Sequence, residues 1–164
     1  RNNPVTYLDP DGRADVNLAN IAWKVSDKDY SVTVTFGEGA NNPVKDTLKI
    51  AFEASIKAAV EGGADITSIY ITCTTNGEHK NKIEHPQGWA LDIGLINSKN
   101  LKNGTGVESQ VQALQDKFEL QPNKFRNFGP KVNKKNGVAV SDKTTIKEHD
   151  SHIHWSVKQE EKQK

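Results

Sequence analysis

Glu148-His-Asp-Ser-His-Ile-His-Trp-Ser-Val157 is the stretch on which the fold of this chain turns. As extended backbone, its side chains alternate between two faces. Glu148, Asp150, His152 and His154 then share one face, and Ile153, Trp155 and Val157 take the other. One face is a column of ligand and acid–base groups, and the other is core. A sheet strand from His152 to Val157 is therefore expected, with chemistry on one side. His149 falls off the column and is expected at the surface.

Working outward, the chain has 5 histidines, at 79, 85, 149, 152 and 154, all in two short windows. The other window is His79-Lys-Asn-Lys-Ile-Glu-His85-Pro-Gln-Gly-Trp-Ala-Leu-Asp92-Ile-Gly94. Pro86 and Gly88 permit a turn that folds His85 back beside a short strand from Trp89 to Gly94. On that strand Gly88, Ala90 and Asp92 share a face, and the small residues leave room beside the aspartate. His85, Asp92 and His154 are ligand types suited to tetrahedral zinc, with the fourth position open. A zinc ion lowers the pKa of water to about 7, and a nearby carboxylate can take the proton.

The remaining pattern is α+β. Tyr30 to Phe36 alternates and reads as a strand, as does Thr67 to Thr74. Pro43 opens a helix to about Glu61, with Leu48, Ala51, Phe52, Ile56, Ala59 and Val60 at helical spacing, and Gly62-Gly63 stops it. A second helix is expected over Val107 to Phe118. Gln121 to Asn136 is rich in Asn, Lys, Pro and Gly and reads as loop, its lysines from 131 to 135 a solvated patch. Val138 to Val140 reads as a strand, and the charged tail from Lys158 as a frayed end. Cys73 is expected as a small buried residue on its strand, and Trp89 and Trp155 as core. Trp23 has no place in this layout.

A chain of 164 residues fits one domain, with 34% hydrophobic and 7% aromatic residues. The formal net charge is +1, which argues against nucleic acid or a membrane surface as partner. No apolar run is long enough to span a bilayer. With one cysteine there is no internal disulfide framework. The chain has no methionine, even at position 1, and is read as a piece of a longer protein acting as a monomer. Residues 1–13 are turn-rich, and Asn3-Pro-Val-Thr-Tyr-Leu-Asp-Pro-Asp-Gly12 resembles the segment that closes the Rhs-type repeat shell of bacterial polymorphic toxins. In that family the toxin domain follows directly, which makes residues 14–164 the expected effector domain.

His85-Pro-Gln-Gly-Trp-Ala-Leu-Asp92 resembles the H-x-x-G-x-A-x-D signature of the zinc D-Ala-D-Ala carboxypeptidase family. His152-Ile-His-Trp-Ser-Val-Lys158 resembles the corresponding region of hedgehog signalling domains, which share that fold and zinc site. The resemblance implies an α+β fold with a small antiparallel sheet and helices packed on one side. It implies zinc ligands His85, Asp92 and His154, Glu148 as general base and later general acid, and supporting roles for His79 and His152. Asp150 competes with Glu148 for the base.

Carboxypeptidases of this family carry an arginine shortly after the strand before the first zinc histidine. Thr72 to His79 has none; of Arg1, Arg13 and Arg126 only Arg126 could serve from a distant loop, and Lys80 or Lys82 could substitute only as a point charge without the bidentate fork. That favours an endopeptidase over a carboxypeptidase. The expected function is a zinc-dependent toxin effector hydrolysing peptidoglycan stem peptides in the envelope of a target bacterium, countered by a cognate immunity protein. A hedgehog-like zinc-containing binding module and a metal-dependent nuclease are the alternatives.

Overall fold

The computed structural model describes residues 15–77 and 83–159; the Rhs-like segment and His79 lie outside the described residues. In chain order come β1 (Asp15–Val16), β2 (Ile21–Val25), β3 (Lys28–Phe36), β4 (Val44–Lys45), α1 (Asp46–Glu61), β5 (Ser68–Cys73) and β6 (Ala90–Ile96). Then follow β7 (Lys99–Asn100), α2 (Glu108–Glu119), β8 (Lys124–Phe128), β9 (Asn133–Lys135), β10 (Val138–Ala139), α3 (Lys143–Glu148) and β11 (Ile153–Val157).

The class is α+β, with a larger and more mixed sheet than expected. Nine strands join in the order β10-β9-β8-β11-β6-β5-β3-β2, with β7 beside β6. Most neighbours are antiparallel, but β3 and β5 run parallel. A parallel pair needs a crossover to carry the chain back, and α1 lies between these strands in sequence. β1 and β4 form a separate two-stranded ribbon. That ribbon takes Val44 and Lys45, so α1 begins at Asp46 rather than at Pro43.

Helices α1 and α2 cover one face of the central strands. Leu48, Phe52 and Ile56 from α1 and Val111, Leu114 and Phe118 from α2 are buried there. Both helices meet on Trp155 of β11, which is fully buried. Phe118 stacks on its indole at 4.5 Å between ring centres, and Phe52 meets it edge-on at 6.3 Å. These are the preferred geometries of aromatic pairs. The indole N–H donates to Asn127 Oδ1 at 3.0 Å. Gln115 Nε2 donates to the same oxygen at 3.1 Å, and its own Oε1 accepts from the backbone N–H groups of Lys131 and Val132. This buried polar cluster pins α2 to β8 and to the turn that follows.

Three sequence expectations are corrected. The stretch from Gln121 to Asn136 is not all loop, because β8 is captured between β11 and β9 by backbone pairing. Trp23 lies on β2, a strand the sequence pattern did not reveal, and stacks on Tyr30 across the β2–β3 pair at 5.2 Å. Extended structure at the C-terminus begins only at Ile153. Before it, the Asp142 carboxylate accepts from Thr145 N at 2.8 Å and starts α3, which claims Glu148.

The stacking of both helices on one indole predicts the cost of removing it. Trp155→Ala should lower unfolding free energy by about 3–5 kcal/mol, the usual scale for a buried aromatic, as read from chemical denaturation.

Candidate metal centre

The centre forms on the sheet face opposite the helices. Ile153, Trp155 and Val157 enter the core, so His154 and Ser156 point the other way. On β6, Leu91 and Ile93 enter the core, which turns Asp92 to the same outer face. His154 pairs directly with Asp92 on one side and with Phe128 of β8 on the other. Asp92 pairs in turn with Cys73, the last residue of β5. Cys73, Asp92, His154 and Phe128 thus form a row across four neighbouring strands.

His85 comes to this row from a single turn whose geometry depends on Gly88. Trp89 N donates to Glu84 O at 2.8 Å and Gly88 N to His85 O at 2.9 Å. This crossed pair is a Schellman closure, which requires a residue in the left-handed region, and Gly88 has φ +78. The space is also tight, because a Cβ on Gly88 would lie 3.2 Å from Val44 Cα and 3.3 Å from Lys45 N. Lys45 N donates to Gly88 O at 2.9 Å and ties the turn to the start of α1.

Three ligand-type atoms converge. His154 Nδ1 lies 2.9 Å from Asp92 Oδ1 and 3.2 Å from His85 Nε2, and His85 Nε2 lies 3.4 Å from Asp92 Oδ1. His85 and His154 are both buried. His85 Nδ1 donates to the Thr74 carbonyl at 2.7 Å, which leaves the Nε2 lone pair facing the other two atoms. Thr74 is itself fixed, its hydroxyl donating to Ala40 O at 2.8 Å and its N–H to Asn76 Oδ1 at 2.9 Å. A carbonyl behind a histidine ligand is the usual outer support of a metal site.

Cys73, His85 and Asp92 offer ligand atoms within 4.8 Å of one another, a group that could hold a metal ion. The Cys73 thiol stands at the margin of that group. Its Sγ lies 3.5 Å from His85 Nδ1, the nitrogen already committed to Thr74, and it donates to Asn76 O at 3.1 Å. Burial, helped by the Asp92 charge, pushes the thiol up to about 12. Cys73 is only partly buried and borders the centre, where the sequence suggested an inert core residue.

The charges interlock. Burial alone would raise Asp92, but hydrogen bonds and charge from His154 and His85 outweigh it and hold the carboxyl far below its usual range. Burial likewise pulls His154 down, yet the Asp92 and Glu84 carboxylates together raise it above an ordinary histidine.

Of the other expected residues, His152 lies closest in kind to its expected place. With Asp92 it lines an open cavity of ≈ 500 Å³, together with Tyr70, Thr72, Gly94 and Asn100. Burial lowers its basicity, with Asp92 acting in the opposite direction. Gly94 keeps this space flat: a Cβ there would collide with the Thr72 methyl. Glu148 does not stand on the His154 strand; it is exposed at the end of α3 and borders a surface cavity with Lys143, Thr144 and Lys147. Asp150 pairs with Lys102 at 3.5 Å on the surface. His149, expected at the surface, is buried, with its ring 5.7 Å from His154 and 5.1 Å from Phe128. The cause of both shifts is the turn after α3, which breaks the strand alternation before Ile153.

Arg126 does not stand on a distant loop. It lies on β8 and donates through Nη1 to Glu84 Oε2 at 3.0 Å. Glu84 is the residue sequence inspection missed, and only its place just before His85 marked it. No protein-family model matches the chain, and no curated protein or solved structure matches it either.

The Gly88 turn yields a direct prediction. Gly88→Ala should destabilise the protein by about 1–2 kcal/mol from left-handed backbone strain alone, with a further loss from the Val44–Lys45 contact. A melting curve unchanged from wild type would contradict the role assigned to this turn.

Proposed function

We propose that the chain is a zinc-dependent peptidase, with His85 Nε2, Asp92 Oδ1 and His154 Nδ1 as the ligand atoms. The observation that carries this reading is the triangle of 2.9, 3.2 and 3.4 Å among those atoms. Vertices of a tetrahedron about a zinc ion bound at roughly 2.0–2.1 Å stand roughly 3.3 Å apart. Two nitrogens and one carboxylate oxygen are the donors that zinc accepts readily, and three protein ligands leave a position for substrate. Cys73 is the poorer third ligand, because its sulfur approaches the wrong nitrogen of His85. The sequence resemblance to zinc D-Ala-D-Ala carboxypeptidases and hedgehog domains points to the same three residues.

Bound zinc supplies Lewis acidity and makes water a stronger acid near neutral pH. The protein's own residues do the rest. Glu148 takes the proton from the attacking water and returns it to the leaving amine, the role the resemblance gives it. Its chain neighbour His149 is in ring contact with His154, which sets the end of α3 beside the centre. His152, beside Asp92 on the open cavity, donates to the carbonyl oxygen as that atom gains charge.

The substrate follows from what the cavity lacks. Among the described residues, those lining it with Asp92 and His152 are uncharged: Tyr70, Thr72, Gly94, Leu95, Asn100 and Ser151. Among these residues a terminal carboxylate would find no cationic partner, which is costly when desolvated. Arg126 is engaged by Glu84. The site therefore suits a peptide that continues past the cut, as in stem peptides or cross-bridges of peptidoglycan. The Rhs-like leader extends this to an effector delivered into another bacterium's envelope and bound by an immunity protein. The exposed place of Glu148 favours one second reading, a zinc-containing binding module with little proteolysis.

Metal analysis of the purified protein should give one zinc per chain, lost in His85→Ala, Asp92→Ala and His154→Ala; full occupancy in His154→Ala would refute the ligand set. Glu148→Gln should keep zinc and fold while slowing peptidoglycan cleavage by roughly 10²- to 10⁴-fold. Retained activity in Glu148→Gln with loss in Asp150→Asn would move the base to Asp150. Digested sacculi should yield split cross-bridges or stem fragments by mass spectrometry, abolished by chelator. Release of terminal D-alanine alone would defeat the endopeptidase reading, and chelator-sensitive cleavage of DNA would replace it with a nuclease.

A further inference from the structure

Two polar atoms near the centre are left unsatisfied. Among the described residues, His154 Nε2 and Arg126 Nε are buried with no hydrogen-bond partner. Both side chains flank Glu84. Its Oε2 accepts from Arg126 Nη1 at 3.0 Å and lies 3.7 Å from His154 Nε2. The glutamate is itself buried, and its backbone carbonyl closes the Gly88 turn. The Arg126 backbone is anchored from behind, its main-chain N–H donating to Ser156 Oγ at 3.2 Å on β11.

A neutral imidazole carries one N–H, and two carboxylates compete for it. With the proton on Nδ1, His154 donates to Asp92 and turns no lone pair toward the centre. Its Nε2 lone pair then faces the Glu84 carboxylate at 3.7 Å, a repulsive contact in a buried place. With the proton on Nε2, that contact becomes attractive, and the Nδ1 lone pair faces those of His85 Nε2 and Asp92 Oδ1, an arrangement that a cation between the three would make favourable. Closing the gap to the roughly 2.7–2.9 Å of a charge-assisted bond needs only a small side-chain adjustment. His85 solves the same problem with the Thr74 carbonyl.

We infer that Glu84, anchored by Arg126, is a positioning residue for the metal centre: it accepts the Nε2–H of His154 and so leaves the Nδ1 lone pair for the cation. This rests on the metal-centre reading above. Arg126 keeps the carboxylate ionised and aimed, the part that an outer carboxylate plays behind many histidine ligands.

The test uses the whole chain, zinc as the probe and a competing chelating indicator. Glu84→Leu should bind zinc about 10- to 100-fold more weakly, the usual effect of losing an outer-shell partner. Glu84→Gln, whose amide oxygen still accepts an N–H, should recover most of that affinity. Because Glu84→Leu strands a partly buried guanidinium, the Glu84→Leu/Arg126→Leu pair is measured beside it, since exchanging a whole ion pair for apolar groups is often tolerated. Nitrogen-15 NMR of the metal-free protein, at a pH where the ring is neutral, reads the tautomer directly. The share of His154 rings protonated at Nε2 should fall in both leucine variants. Wild-type zinc affinity and an unchanged tautomer in the folded double variant would overturn the inference. If the wild-type protein takes up no zinc, the metal reading falls, and the metal-free tautomer still decides the role of Glu84.

Discussion

One antiparallel pairing carries the structure: His154 opposite Asp92, with Trp155 and Leu91 beside them facing the other way. In a strand, a one-residue slip exchanges the faces entirely. Such a slip here would send His154 into the helix layer and Trp155 into the site. The aromatic packing of Phe52 and Phe118 on Trp155 therefore fixes the register of His154 against Asp92 as firmly as it fixes the core. Stability and chemistry are set by the same alternation.

The histidines are then oriented from behind, each by a different device. His85 is held by a backbone carbonyl, and that carbonyl belongs to a residue pinned to Ala40 and Asn76. His154 faces a carboxylate pinned to a neighbouring strand. The glycine at position 88 joins these supports, since one turn carries both His85 and Glu84 and hangs on Lys45. A change far from the ligands, at Val44 or Lys45, would be felt at the centre through that turn.

Much of this could be read beforehand, for physical reasons. Alternation marked Ile153, Trp155 and Val157 as core, and the helical spacing from Leu48 to Ala59 located α1. His85, Asp92 and His154 stood out because ligand-type residues clustered beside small ones. Glu148 and His149 were misplaced because the alternation argument was carried back to Glu148, which ends a helix capped by Asp142. The sequence of β8 carries weak strand propensity, and its pairing with β11 comes from tertiary contact. Glu84 and Thr74 could not be found by spacing. One acts through a bond that depends on the fold of a turn, and the other through its main chain.

The place of β11 has a temporal consequence. It is the last described strand along the chain, yet it lies between β6 and β8 in the middle of the sheet. Until residues 153–157 are available, β6 and β8 have no common neighbour, and the indole on which α1 and α2 meet is missing. A chain emerging from a ribosome therefore keeps this part of the sheet open, and His85 and Asp92 without His154, until β11 follows. The pairing that closes the sheet and the one that brings His85, Asp92 and His154 together are therefore one late event.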